Sequence, residues 1–180
     1  DDEYIEVQNI TALPLSLYDS VLGAEWHVRG DADFNFPTNT TLAGNEVVLL
    51  VAFNPVTKPD QAAAFRAKFG IADNVRLMGP LNGTLPNGSG AVRITKPSAL
   101  DPDTGDAIYV VADEVEYVDQ APWPIGADGS GASLQKLERS LYGADPASWI
   151  AALPTPGGSF AVGQAPTISQ QPVGATVVGG

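Results

Sequence analysis

The stretch Asn45-Glu46-Val47-Val48-Leu49-Leu50-Val51-Ala52-Phe53 decides the fold class of this 180-residue chain. It ends in the longest apolar run of the sequence, from Val47 to Phe53, which has the length of a strand buried on both faces. An apolar run of this length is too short to cross a membrane. The sequence therefore predicts a central β-strand here and no membrane insertion.

Shorter strand patterns flank the central strand on both sides, and turns rich in Gly, Pro and Asn separate them. These segments are Tyr4–Val7, Leu13–Leu17, Glu25–Arg29, Val75–Met78, Ala91–Ile94, Ala107–Val111 and Glu114–Val118. Many short strands with dense turns are typical of a sandwich or barrel. We expect the segment between Ala121 and Ser148 to form a long ordered loop, in which only Leu134 to Arg139 has a regular pattern.

One helix is predicted between Pro59 and Phe69. The segment is rich in Ala, begins with Pro and Asp, and is followed by Gly70. Phe65 and Phe69 are four residues apart and share a face, which we expect to pack on the sheet edge. The predicted fold class is all-β: an immunoglobulin-like β-sandwich with one short helix and long ordered loops.

The charge and composition exclude several classes of function. The formal net charge is -12 with an isoelectric point near 4.2, and the nine Lys and Arg residues are scattered. No basic patch follows a phosphate backbone, so we expect no binding to nucleic acid. The chain has no Cys, which removes disulfides, thiolate metal sites and a Cys nucleophile. An acidic chain of this composition favours a secreted or cell-surface location.

One domain followed by a tail is predicted. Pro154-Thr155-Pro156-Gly157-Gly158 is a boundary, so residues 1–158 form the β-sandwich domain. Residues 159–180 are a linker with the first strand or strands of a following domain, or an exchanged strand. The chain begins at Asp1 with neither Met nor a signal segment, and we expect it to be a mature or excised piece of a longer protein.

Several motifs, taken in order, resemble the lamin-tail domain in the form found in bacterial extracellular proteins. The motifs cover about residues 1 to 158, and their combination is more specific than any one of them. They are Asp2–Asn9, Trp26 before Phe34–Pro37, Leu42–Glu46, Gly83–Gly90, Val115–Tyr117, Ala121–Pro124, Ala127–Lys136, Asp145–Trp149 and Pro154–Gly157. The resemblance implies an immunoglobulin-like sandwich that serves as a building block or interaction surface.

The chain departs from this family at both ends. Members carry another strand just before the segment that matches Glu3–Glu6, and this chain starts too late to contain it. Residues Pro166 to Val178 resemble the opening strands of a bacterial immunoglobulin-like domain whose remainder is absent. We expect either that the missing strand was trimmed, or that another segment fills the vacant edge.

The function expected from these features is non-enzymatic. His27 is the only histidine, and no Gly-x-Ser-x-Gly elbow occurs. We expect a structural or adhesive module whose partners are neighbouring domains of the same polypeptide or other copies of the chain. One form of this hypothesis is β-strand addition, in which the tail of one copy pairs with the vacant edge of the next to give a fibre.

Two groups of residues are candidate sites. Asp101, Asp103 and Asp106 could offer oxygen ligands to calcium, although an acidic hairpin turn explains the pattern as well and is the interpretation we favour. Trp123, Tyr117 and Trp149 could bind a sugar or peptide, against the alternative that the tryptophans clamp loops. They support a rival function as a ligand- or carbohydrate-binding accessory module of a larger secreted enzyme. No cofactor is expected apart from this candidate calcium.

Overall fold

A computed structural model of the protein describes residues 2–127 and 129–158. This part of the chain is mainly β, with one α-helix and several antiparallel sheets. The strands are β1 (Tyr4–Gln8), β2 (Leu15–Ser16), β3 (Tyr18–Asp19), β4 (Ala24–Glu25), β5 (His27–Gly30), β6 (Ala32–Asn35), β7 (Thr41–Leu42), β8 (Val47–Val51), β9 (Arg76–Met78), β10 (Asn82–Gly83), β11 (Ser89–Leu100), β12 (Ala107–Val118), β13 (Ser133–Lys136) and β14 (Trp149–Ala152). Helix α1 spans Pro59–Phe69, and Ile125–Ala127 and Pro146–Ser148 are single-turn 3₁₀ helices.

Two larger sheets organise the described residues. One has three strands in the order β1-β8-β9, and the other has five in the order β10-β6-β5-β11-β12. The pairs β2–β7, β3–β4 and β13–β14 form small two-stranded sheets. Strand β1 runs antiparallel to β8, with Tyr4 opposite Val51 and Gln8 opposite Val47. Because β1 is at one end of its sheet, one of its edges has no neighbouring strand among the described residues.

The central strand lies where its apolar run predicts. In β8, the residues from Val48 to Val51 have no exposed surface, so the strand is buried on both faces. On one face, Val48 and Leu50 join a core cluster with residues of the five-stranded sheet, including Val28 and Ala32. On the other face, Leu49 and Val51 pack in a second cluster with Phe65 of α1.

Helix α1 has the bounds predicted from its sequence. It ends at Gly70, whose φ of 65° is the left-handed conformation that glycine adopts at helix ends. Phe65 and Phe69 contact each other and the ring of Tyr4, with centroids 5.0 to 6.1 Å apart. The helix therefore packs against the edge strand β1, as its spacing of phenylalanines predicts.

Three features differ from the sequence-based expectation. The two segments predicted as Ala107–Val111 and Glu114–Val118 form the single strand β12, with a bulge at Ala112. Strands β8 and β9 are parallel and are joined through α1, whereas the expected immunoglobulin-like sandwich has antiparallel sheets. The expected loop between Ala121 and Ser148 contains β13, which pairs with β14.

Candidate partner-binding site

The outer edge of β1 carries backbone groups that no described strand pairs with. The Asn9 N–H donates to the Glu46 carbonyl at 3.0 Å, in the same register as the β1–β8 ladder. Bonds to one neighbour alternate along an antiparallel strand. The backbone groups of Tyr4, Glu6 and Gln8 therefore point to the outer side, away from β8. None of these groups has a backbone partner within residues 2–127 and 129–158.

A second unpaired edge belongs to β13. The Leu137 N–H donates to the Ser148 carbonyl at 2.8 Å, in register with the β13–β14 ladder. By the same alternation, the backbone groups of Leu134 and Lys136 point away from β14. Among the described residues, β13 has β14 as its only neighbouring strand.

A cavity of about 1200 Å³ lies between these two edges, and we call it the strand groove. All five residues of β1 and all four of β13 line it. Its floor is the inward face of the β11–β12 hairpin, where Val92 lies directly opposite Val115 and Ile94 is two residues further along β11. These three side chains are only half-buried. The groove therefore has an apolar floor and, as far as the described residues go, two open strand edges.

The strand groove is acidic. Its basic wall residues are Lys68, Lys136 and Arg139. The acidic wall residues are Asp2, Glu3, Glu6, Asp113, Glu114, Asp119 and Glu138. Lys68 pairs with Asp2, and the Lys136 Nζ lies 2.6 Å from the Asp113 carboxylate. Two of the three cations are therefore already engaged by carboxylates of the wall.

Glu6 is the titratable group at the centre of β1. Burial raises its pKa to about 7, and a hydrogen bond from the Gly157 N–H, at 3.3 Å, acts in the opposite direction. Glu6 is nevertheless an exposed residue by its accessible surface, so its carboxyl group borders both protein and solvent. The ionised form of a carboxyl group in this position is stabilised when a cation or a hydrogen-bond donor comes close.

Tyr4 connects the two edges. Its hydroxyl lies within hydrogen-bonding reach of the Ser133 side chain, and burial raises its pKa. Its ring packs on α1, on the same face of the sheet as Glu6. Strands β1 and β13 thus approach each other at this end of the groove without forming a ladder.

The aromatic residues proposed as a ligand platform are placed differently from one another. Trp123 is buried and does not line the groove, and its ring centroid lies 6.3 Å from that of Trp149. The Trp149 Nε1 donates to the Gly143 carbonyl at 2.7 Å. This pair joins the loops before and after β13, which is the clamping role weighed as the alternative.

Tyr117 lies apart from the tryptophan pair, on the hairpin floor of the groove. Its ring covers Gly90, and its hydroxyl donates to the Pro86 carbonyl at 2.8 Å. Burial raises its pKa to about 12. The hydroxyl is therefore neutral over the physiological range and fixes the loop that leads into β11.

The three aspartates lie in the exposed tip of the β11–β12 hairpin. The Asp101 carboxylate accepts the N–H groups of Asp103 and Thr104, which lowers its pKa. This is the hydrogen-bonded turn expected of Asp in a hairpin. In the described part of the chain, no three His or acidic side chains are grouped to hold a metal ion. Calcium at this loop stays a prediction.

His27 has ordinary partners on the surface of β5. Its ring stacks on Tyr109 with centroids 4.3 Å apart, and its Nε2 lies 3.7 Å from the Glu25 carboxylate. Burial and the charge of Arg29 lower its pKa, against the opposing effect of Glu25. Among the described contacts, the Tyr109 phenol is the only hydroxyl group within hydrogen-bonding distance of the His27 ring. The described residues therefore place no Ser or Thr nucleophile beside this histidine. An edge position, the ordinary expectation for a lone strand histidine, is wrong: β5 lies between β6 and β11, and the His27 side chain is mostly buried.

Glu6 and β13 are the parts of the groove that sequence patterns do not reveal. Glu6 occupies an alternating strand position, where period two assigns a carboxylate to solvent. Nothing in the sequence indicates that β13, far along the chain, forms the opposite wall.

No helix in the described residues has the length and apolar character that a membrane span requires. The chain matches no protein-family model, no curated protein and no solved structure.

Proposed function

We propose that this protein is a non-enzymatic structural or adhesive module of a secreted or cell-surface bacterial protein. It makes protein–protein contacts and sets the spacing of neighbouring domains. The observation that carries this proposal is the outer edge of β1, whose backbone groups at Tyr4, Glu6 and Gln8 face a cavity. An open edge adds a strand from another segment readily, because the added strand pairs the unpaired N–H and C=O groups of the edge with its own.

The proposal includes the fold of the module, an immunoglobulin-like sandwich of the lamin-tail type. It is supported by the core cluster that joins Val48 and Leu50 of one sheet to Val28 and Ala32 of the other. Motifs such as Asp145-Pro146-Ala147-Ser148-Trp149 support the family. In this family a further strand precedes the segment at β1, and the strand groove lies where an additional strand beside β1 would run.

A fibre is the extended form of this proposal. A contact in which a segment of one copy enters the groove of the next is heterologous and need not close into a ring. Residues 159–180, which lie outside the described residues, are the expected donor. Their expected role as the start of a following domain is the competing assignment.

Light scattering behind a sizing column tests the proposal on the full chain and on a chain truncated after Gly158. We expect the full chain to form open assemblies whose mass grows with concentration, and the truncated chain to remain monomeric. Circular dichroism of both chains checks that truncation leaves the β-structure in place. If both chains remain monomeric at all concentrations, assembly through the tail is wrong.

The accessory-module alternative has weaker support. A carbohydrate platform presents aromatic faces to solvent, whereas Trp123 is 7% exposed and Trp149 is fixed by Gly143. Retention on polysaccharide columns that is lost in Trp123→Ala, with the fold intact, would favour this alternative over the structural module.

A further inference from the structure

The strand groove is bounded on two sides by edges of β-strands, which offer backbone groups to a further strand. One side is β1 and the other is β13, and within residues 2–127 and 129–158 each of them pairs with a strand on one edge only. The cavity between these strands measures about 1200 Å³, and all five residues of β1 line it. A further strand can pair with the outer edge of β1 along this cavity.

The inward side of the groove selects apolar side chains. Ile5 and Val7 of β1 face the first core cluster, and Val92 and Ile94 of the hairpin pack against the same cluster. With Val115 they form a half-buried apolar surface below the vacant position. Every second side chain of an inserted strand would lie on this surface and remove it from water.

The opposite side selects a positive charge. Side chains that alternate with the apolar ones would lie beside Tyr4, Glu6 and Gln8. Glu6 receives one backbone hydrogen bond, from Gly157, and the groove wall is acidic with two of its three cations already paired. A Lys or Arg directly across from Glu6 would pair with it in a partly desolvated position.

The volume of the groove favours a polypeptide over a small molecule. Pockets for small ligands enclose roughly 300–1,000 Å³, and they bind by enclosing the ligand. The groove is larger, at about 1200 Å³, and it is bounded by two strand edges that a small molecule would leave unpaired. Main-chain pairing along the five residues of β1 is the interaction that these edges offer.

We propose that the strand groove binds an extended segment of another polypeptide, in which apolar residues alternate with polar ones and a Lys or Arg lies across from Glu6. The proposal rests on the proposed function and names the chemistry of its partner. Residues 159–180 contain neither Lys nor Arg, so the cationic partner is a segment other than the tail. It shares with the proposed function the open edge of β1, and the tail of another copy, as in the fibre, is the competing occupant of the groove.

Binding of a designed strand to the full chain tests the proposal. The probe is the fluorescein-labelled peptide Val-Thr-Val-Lys-Val-Thr-Val, followed by fluorescence anisotropy, and its matched control has Gln in place of Lys. We expect the Lys peptide to bind about tenfold more tightly, the size of one charge-assisted hydrogen bond. Equal affinities for the two peptides would overturn the proposal.

Three variants assign the effect to β1. Glu6→Gln keeps the outward N–H, and we expect it to bind both peptides equally. Glu6→Pro removes that N–H without touching the β8 ladder, and we expect it to bind neither peptide. Glu116→Gln is the matched control, because Glu116 pairs with Arg93 and does not line the groove. Discrimination that survives Glu6→Gln would overturn the assignment.

Amide hydrogen exchange gives an independent readout. When the Lys peptide binds, exchange at Tyr4, Glu6 and Gln8 should slow, whereas Ile5 and Val7 are already bonded to β8 and should change little. Slowing confined to other segments would place the peptide elsewhere and overturn the proposal.

The assembly and peptide-binding experiments together distinguish a wrong partner from a wrong proposed function. If the full chain assembles but shows no preference for the Lys peptide, the module proposal stands and the cationic partner is wrong. If the peptide binds only after truncation at Gly158, residues 159–180 occupy the groove and the partner segment is overturned.

Discussion

The backbone N–H of Gly157 donates to the Glu6 carboxylate across 3.3 Å, which ties the end of the described chain to its first strand. This one bond does not offset the burial of the carboxyl group, whose pKa is raised to about 7. The Gly157–Glu6 contact thus holds a carboxyl group that titrates near neutral pH at the open edge of β1.

The first prediction concerns pH and Glu6. The folded protein holds the Glu6 proton up to about pH 7, whereas the unfolded chain releases it near 4.5. Between these values the folded state binds more protons, so the contribution of Glu6 to stability is full below pH 4.5 and falls as pH rises to 7. We expect Glu6→Gln to raise the melting temperature at pH 8 more than at pH 5.

Thermal unfolding at pH 5, 6, 7 and 8 measures this effect, with Glu116→Gln as the control. Tyr4, on the same face of β1, has a raised pKa and does not titrate in this range. Curves for Glu6→Gln that run parallel to the parent protein across the range would show that Glu6 is ionised throughout.

Glu6 also shows why the strand groove cannot be predicted from the sequence. In Tyr4-Ile5-Glu6-Val7, alternation correctly places Ile5 and Val7 toward the core and Glu6 on the other face. What surrounds that face depends on α1, β13 and Gly157, which are distant in the sequence. The environment of Glu6 is a tertiary property, and no local pattern encodes it.

The same distinction between local and tertiary information applies to the elements of the fold. Strand β8 and helix α1 are predicted because an apolar run, a Pro start and a Gly stop are local signals. The parallel pairing of β8 with β9 and the hairpin of β13 with β14 depend on which edges meet in the folded chain. The bulge at Ala112 lets one long strand look like two short ones.

The second prediction concerns Trp149. Replacing it with Phe keeps an aromatic ring beside Trp123 but removes the Nε1–H that donates to Gly143. We expect a loss of about 1 kcal/mol in the free energy of unfolding, typical of one hydrogen bond. Urea unfolding measures it, and Tyr142→Phe, which removes an exposed bond to Glu114, is the control with a smaller effect. An unchanged midpoint for Trp149→Phe would contradict the clamping role.

The third prediction concerns the hairpin tip. The Asp101 carboxylate accepts two backbone N–H groups, and the amide oxygen of Asn can accept the same bonds. We therefore expect Asp101→Asn to unfold at nearly the temperature of the parent protein, and Asp101→Ala to unfold at a lower temperature. We also expect millimolar calcium to leave all three melting temperatures unchanged. A rise with calcium that Asp101→Asn abolishes would instead establish the metal site.

The last prediction concerns Asn9, the polar side chain buried where β1 ends. Its Nδ2 donates to the carbonyls of Leu13, Leu42 and Ala43 at 2.7 to 3.2 Å, and its Oδ1 accepts from Thr11. Asp has the same shape but, when ionised, cannot donate, so Asn9→Asp would bring a buried charge against three carbonyl oxygens. We expect it to reduce the free energy of unfolding by about 3 kcal/mol or more at pH 7, and by less at acid pH, where the carboxyl group is protonated and can donate.

Urea unfolding at pH 7 and pH 4 measures this difference. Asn74→Asp makes the same chemical change at an exposed position and should have little effect. If Asn9→Asp is tolerated as well as Asn74→Asp at pH 7, the Asn9 contacts do not stabilise the turn that follows β1. In that case the other contacts of β1 hold it in place: its ladder with β8, its packing on α1 and the core, and the bond from Gly157 to Glu6.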